Sequence, residues 1–392
     1  MSDRIATFPF PHQLGLLQAL VVQVIALSLL VSIGSFTQAT ELYSPHNKPI
    51  WLEHVDKIDT LERPQLNINE SRHQAKRRWA FAFDNDFLVP GHRDQDYTYG
   101  LNLTQTGYAF DKTSIGVDNL LVGIDRLLGN TRKSIRYQEV FSREIGAFGF
   151  TPEDISTSVA NPADRPYASL VYLSVAREQI DLVENVAWKS TLTLGALGLG
   201  LVGDLQNLAH HALSGKDAQG WHNQISDGGE LTGRYVLARQ QYLDKLSDNL
   251  EIKSTAQASL GYLTEASWGL SVRTGRIHSP WSSFNPELAS YGERSSYSSN
   301  AKPVNEHYFW TGFTLKARAY NAFLQGQFRE SLVTYEHGEL RPWLVEAWAG
   351  YTFAFKNGYR LSYLVRGPSS EIKKGAGDRN LVWGGIIVAR SI

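Results

Sequence analysis

The 392-residue chain contains no cysteine. That excludes a disulfide framework of the kind that holds many exported domains, and with it any thiolate nucleophile. Beyond residue 39 no apolar run approaches the roughly twenty residues that a membrane-crossing helix needs. No block of like charge stands out either: 38 basic and 39 acidic residues leave a net charge of −1, spread along the chain. Nucleic acid is set aside as a partner on that ground. Common hydrolase signatures are missing as well, with no G-x-S-x-G elbow, no H-E-x-x-H helix and no phosphate-binding loop.

What is present begins with a leader. Arg4 and His12 precede a largely apolar run from Leu14 to Ile33, followed by the small-residue stretch Ser35-Phe36-Thr37-Gln38-Ala39. A basic start, an apolar middle and a small-residue exit describe a secretory signal peptide cleaved near Ala39. The same run is also long enough for a single membrane anchor. The expected organisation is a signal peptide over 1–39, an extension without strand patterning over 40–78, and one domain over 79–392. That domain exceeds most single soluble domains in length, yet no Pro- or Ser-rich linker divides it.

The mature region is rich in aromatic residues and glycine, and its dominant signal is period-two alternation. Between Val186 and Gly198, the residues Trp188, Leu192, Leu194 and Ala196 alternate with Lys189, Thr191, Thr193 and Gly195. A second such segment runs over 255–262. A third runs over 343–356, with Trp343, Val345, Ala347, Ala349, Tyr351, Phe353 and Phe355 on one face. Similar segments begin near Trp79, Tyr97, Arg136, Tyr167, Leu231, Trp268, Tyr308, Ala322, Tyr359 and Leu381, thirteen in all. A single-chain bacterial barrel has an even number of strands, so an all-β transmembrane antiparallel barrel of twelve is expected. Aromatic residues at strand ends (Trp79, Trp188, Trp268, Trp343, Tyr359) suit its two interfacial girdles. A soluble sandwich or lipocalin-like barrel would alternate too, because alternation does not say which face is wet.

Two segments carry helical spacing instead. One is Asn119 to Leu128, read as a loop helix. The other is Gly203 to Leu213, where Leu205, Leu208, Ala209 and Ala212 form an apolar face expected to pack on the barrel rim, with Asp204 as its cap. Gln206 and His210 stand at i and i+4 on this second helix and so share a face. A histidine is the usual general base near neutral pH, although most of the 11 histidines of a chain like this are surface residues. Two polar clusters complete the candidates. Asp84-Asn85-Asp86 offers the hard oxygen ligands that calcium takes, or is an ordinary turn-forming cluster. Asp94 to Gly100, entering the second strand, contains Thr98 and would be its hairpin neighbour.

Together these residues resemble the outer-membrane lipid A 3′-O-deacylase family. The resemblance rests on five blocks in order: Asn85-Asp86; Asp94 to Gly100; Asp164-Arg165-Pro166-Tyr167-Ala168; Leu205 to His210 with Gly220-Trp221 and Gln224; and Tyr320 to Gly326. It implies a bacterial outer-membrane barrel, a short extracellular loop helix, and lipid A or lipopolysaccharide as substrate within the bilayer. It also implies Ca2+-assisted removal of the 3′-linked acyloxyacyl chain by a carboxylic ester hydrolase. Carried over onto this sequence, the site is Asn85, Thr98, Gln206 and His210, with Asp86 and Asp84 as metal ligands. His210 would deprotonate water, Gln206 would position water or substrate, and Asn85 or Thr98 would add a hydrogen bond. The sequence departs from the family pattern at Ser169, where a glycine is typical, and at its end, where Arg390 and Ile392 replace apolar and aromatic residues. An outer-membrane phospholipase and a non-catalytic, porin-like barrel are the alternatives.

Overall fold

Alternating segments of the sequence become strands in the computed structural model, which describes residues 77–89, 96–108, 116–131, 137–181, 183–213, 217–247, 249–293 and 303–391. The leader, nearly all of the 40–78 extension, Asp94, Gln95 and Ile392 lie outside the described residues. The strands are β1 (Arg78–Asn85), β2 (Asp96–Thr106), β3 (Tyr137–Thr151), β4 (Ala168–Asp181), β5 (Val186–Leu197) and β6 (Glu230–Ser247). They continue as β7 (Leu250–Gly261), β8 (Leu263–Arg276), β9 (Glu306–Asn321), β10 (Trp343–Ala354), β11 (Tyr359–Pro368) and β12 (Trp383–Ser391). Each pairs antiparallel with its sequence neighbours, and β1 closes on β12 from Arg78↔Ser391 to Asn85↔Gly384. Closure leaves no strand edge, and the even number returns both barrel ends to one rim, here the terminal rim.

Of the thirteen expected strand starts, the one at Ala322 is wrong. Ala322–Gln325 is a one-turn helix, capped by Asn321, whose side chain accepts from the Phe323 N–H at 3.0 Å, and closed by Gly326 at φ +71°. Its apolar run is a buried turn rather than a strand, and it buries Ala322, Phe323 and Leu324 together. Boundaries also move, and the segment read over 255–262 begins at Leu250. The third alternating segment stops at Ala354, and Trp268 lies inside β8, which starts at Leu263.

The direction of the faces is the main structural result. On β10, Trp343 and Phe353 are 74% and 48% exposed, while Glu346, Trp348 and Thr352 between them are buried. The apolar face points outward, as only a lipid solvent permits, and the polar face lines the interior. Among the described residues no helix is long and apolar enough to cross a membrane; the crossing is made by strands.

The interior is filled rather than open. Glu346 pairs with Lys316 and Arg366, and Arg234 reaches Glu293 at 2.8 Å. Glu293 belongs to the β8–β9 connection, which leaves the terminal rim and folds back up the lumen. Its Glu287 meets Lys253 at 2.8 Å, and its Gly292 carbonyl accepts from Asn102 Nδ2 at 2.6 Å. Gly292 passes so near Phe148 that a Cβ there would lie 2.7 Å from the ring. Above it, Tyr97, Phe148, Phe150, Tyr291, Phe323 and Trp383 form one aromatic cluster across the bore.

Two longer helices lie against the outside of the wall. The first, α1 (Val117–Leu127), belongs to the β2–β3 connection at the terminal rim. The second, α2 (Leu201–Leu213), belongs to the β5–β6 connection at the opposite rim and starts two residues earlier than its spacing suggested.

Candidate active site

The site is built where β1 ends. Asn85 keeps an extended backbone (φ −163°) and caps the 3-10 turn Asp86–Leu88, its Oδ1 accepting from the Phe87 N–H at 2.7 Å. Its Nδ2 donates to the Thr98 carbonyl, tying the end of β1 to the start of β2. Beside it, β2 slips register against β3 between Tyr97 and Tyr99. Such a bulge puts successive residues on one side of a strand. Tyr97 therefore joins the luminal cluster, whereas Thr98 and Tyr99 both meet α2.

That slip sets which residues face outward at the rim. Asn85 shares the outward face of β1 with Phe81 and Phe83, and the bulge one strand over turns Thr98 to the same side. Asp84 takes the other face. It is buried in the lumen, so close to β12 that a Cβ on Gly385 would clash with its Oδ1. The barrel wall thus separates Asp84 from Asn85. Asp86, also buried, sits in the turn that packs on β2 and β12.

α2 approaches the wall through Val202, Leu205 and Gln206, which pack over Tyr99, Leu101, Ala147, Val171 and Trp221. The expected apolar face is therefore partly wrong, since Leu208 is 66% exposed. One glycine on the wall and one on the helix explain the preference. A Cβ on Gly149 would lie 2.9 Å from Val202, and one on Gly203 would lie 2.6 Å from the Trp221 ring, so the helix sits closer than side chains allow. The Tyr99 hydroxyl donates to the Val202 carbonyl at 2.5 Å and pins the first turn.

Gln206 faces the wall and bridges two groups. Its Nε2 donates to Thr98 Oγ1 at 3.1 Å, its Oε1 accepts from the Trp221 indole at 2.7 Å, and Thr98 Oγ1 meets Thr151 Oγ1 at 2.9 Å. The amide orientation is thereby set by its partners. Asn85, Thr98 and Gln206 are brought together, on the outer side of the wall at the rim. His210 follows one turn along α2 on the Gln206 side; its side chain lies outside those described. His211 is mostly exposed, with Nε2 3.5 Å from Asp217, and His222 is exposed.

Sequence reasoning quoted Trp221 in a block without giving it a role, and only the fold shows that its N–H orients Gln206. Other quoted residues build the frame. Asn207 clamps the chain after α2 through Ala218, accepting from its N–H at 2.8 Å. Ser169, the departure from glycine, donates to Gln224 Oε1 at 2.8 Å and so ties β4 to the loop. Arg165 pairs with Glu371 at 2.7 Å, and Asn321 donates to the same carboxylate at 3.1 Å. Burial alone would raise the pKa of Glu371, but the guanidiniums of Arg318 and Arg165 hold it below the usual carboxylate range. Asp96, Asp164 and Arg379 form an adjoining ion cluster, with Arg379 2.8 Å from Asp96 and 2.6 Å from Asp164.

Among the described residues no three His, Asp or Glu side chains converge as a ready-made metal cage. Asp86, Asn85 and Thr98 nonetheless each bring an oxygen to this rim, the Asn85 Oδ1 being shared with the Phe87 N–H. Oxygens of that kind are the type a hard cation takes when substrate or water completes its shell.

The family model described as "Outer membrane protein LpxR" matches residues 58–391. Among solved structures, LpxR from Salmonella typhimurium superposes over 80% of this chain and 100% of its own, with a TM-score of 0.60 and 17% identity. The β domain of the Bordetella autotransporter BrkA covers 81% of this chain and 99% of its own, with a TM-score of 0.39 and 9% identity. No curated protein matches in sequence.

Proposed function

This chain belongs to the LpxR family of outer membrane proteins, and from that premise we propose that it is a lipid A deacylase, releasing the 3′-linked acyloxyacyl chain by histidine-based, calcium-assisted ester hydrolysis. The observation that carries the reading is the Asn85–Thr98–Gln206–Trp221 arrangement on the outer side of the wall. Polar groups held at that face meet an ester of a lipid in the outer leaflet, which arrives laterally. They would be useless to a solute crossing the lumen, which the β8–β9 connection fills. The porin-like alternative loses its support there.

In the proposed reaction a water oxygen bonds to the ester carbonyl carbon as its proton leaves. The bond to the sugar oxygen then breaks, and the departing alkoxide takes up a proton. His210 is assigned as the base that accepts the first proton and returns it to the leaving oxygen. One amide proton of Gln206 is committed to Thr98, and the other is assigned to orienting water or substrate. Asp86 would hold calcium with Asn85 or Thr98 oxygen, and when bound the ion supplies positive charge beside the developing oxyanion.

The test is lipid extraction and mass spectrometry after incubating the purified barrel with lipid A and, separately, with phospholipid. Loss of the 3′ acyloxyacyl group from lipid A alone supports the reading. Fatty acid released only from phospholipid would make the protein a phospholipase, and no release from either would leave a barrel without this chemistry.

A further inference from the structure

α1 turns leucine away from the wall as well as towards it. Its wall-facing side holds Asp118, Leu121, Val122 and Asp125, all buried, while Leu120, Leu127 and the following Leu128 point away from the wall at 50%, 88% and 60% exposure. A helix between a protein and water keeps its acids on the outer side and its leucines on the inner one.

The wall beneath explains the inward acids. The outer faces of β3, β4 and β5 carry Arg143, Arg177 and Ser190, which no hydrocarbon would solvate. Asp125 accepts from Ser190 and Tyr235 at 2.8 Å each and from Arg177 at 3.1 Å. Asp118 takes Arg143 and the Tyr108 hydroxyl. The helix thus neutralises a polar patch on the barrel's exterior and covers it with leucine, with Arg126 at its terminal turn as the one charged residue on the exposed side.

The depth of the patch names what the leucines touch. Trp188, an outward aromatic of the girdle type, lies nearer the terminal rim than Ser190 on the same strand. Towards the other rim, Ile145, Leu173 and Leu194 are exposed members of the lipid-facing belt. α1 lies between the two, continuous with a surface that is already lipid-facing. Because both barrel ends return to the periplasmic side, the helix belongs to the inner half of the bilayer.

We propose that α1 is a membrane-embedded helix of the periplasmic leaflet, with Leu120, Leu127 and Leu128 in contact with phospholipid acyl chains and Asp118 and Asp125 sealing the wall behind it. The absence of native cysteine allows a direct test on the full chain. Leu127→Cys and Leu120→Cys are each placed in phosphatidylcholine nanodiscs. Val159→Cys, at an exposed position in the β3–β4 loop, serves as the water-facing control. Heat-modifiable migration confirms that each barrel is folded. A charged maleimide is expected to react about a hundredfold more slowly at 127 and 120 than at 159, since the reagent would have to enter hydrocarbon. A bimane label at 127 should be quenched by lipids brominated in the acyl chain and not by aqueous iodide. Equal maleimide rates, or quenching by iodide alone, would put α1 in water and overturn the proposal. Rapid disulfide-linked dimerisation of the Leu127→Cys variant in dilute phosphatidylcholine vesicles would overturn it too, by giving the face to a second copy of the chain.

Discussion

Replacing Trp221 by Phe isolates one hydrogen bond of the site. Phe keeps much of the ring that packs on Tyr167, 5.0 Å away between centroids, but deletes the N–H that reaches Gln206 Oε1 at 2.7 Å. Gln206 is only 3% exposed, so its carbonyl oxygen has no ready access to water. A stranded buried acceptor costs about 1–3 kcal/mol. The amide can relieve that cost by flipping, or α2 can lift from the wall, and either movement breaks the 3.1 Å bond from Gln206 to Thr98. If the whole cost falls on the competent arrangement, turnover drops by about 5- to 150-fold, at tenfold per 1.4 kcal/mol. The barrel closes through its own strand pairing, so heat-modifiable migration should be unchanged. The assay is the initial rate of acyl release from lipid A in detergent micelles, read by mass spectrometry for Trp221→Phe, Gln206→Ala and the double variant. Acting through Gln206, Trp221 should add nothing once Gln206 is gone. A wild-type rate in Trp221→Phe, or losses that multiply in the double variant, would refute the reasoning.

His210→Ala is expected to lower deacylation by at least about a hundredfold, the lower end of general-base assistance. His211→Ala should change it little, and the rate should fall in acid as the imidazole protonates; retention of activity in His210→Ala with loss in His211→Ala would show the wrong histidine was chosen. A calcium chelator should abolish turnover and added calcium restore it, and Asp86→Ala should be inactive with the barrel folded; full activity in excess chelator removes the metal. For the depressed Glu371, stability is present above the ordinary carboxylate pKa and is lost as pH falls through the lower folded value. Glu371→Gln should therefore lower the thermal midpoint at pH 7, since Arg165 would keep only Asp96 at 3.7 Å and Arg318 only Glu265 at 2.6 Å, at a cost of up to about 3–5 kcal/mol, with the gap to wild type closing in strong acid; a gap independent of pH contradicts the pairing. In planar bilayers the protein should carry no steady ionic current, and a stable porin-like conductance would contradict the filled lumen.

Much of the fold was legible because it is written in local periodicity. The alternation at Trp188 to Ala196 and at Trp343 to Phe353 is a property of each segment alone, and so is the pairing of Gln206 with His210 on one helix. Asn85, Thr98 and Gln206 were found through a resemblance in ordered blocks, and the structure brings these three together. Local pattern also set the limit. Ala322 to Leu324 is a short apolar run that local pattern alone does not tell from a buried strand, and the cap at Asn321 and the turn at Gly326 make it a helix.

The sequence by itself determined a cysteine-free, alternating chain with a strand count near twelve. Tertiary structure decided which side of each strand meets lipid, because that depends on closure of β1 against β12 and on what fills the bore. It decided that α2 rests on Val202, Leu205 and Gln206 rather than Leu208, because Gly149 on the wall and Gly203 on the helix admit the close approach there. It decided that Asp84 looks into a filled lumen while Asn85, adjacent in sequence, faces the outer side with Thr98, because the bulge between Tyr97 and Tyr99 turns Thr98 there. The same cause holds throughout: a periodicity is local, but whether its polar face is wet, buried or covered depends on segments far along the chain.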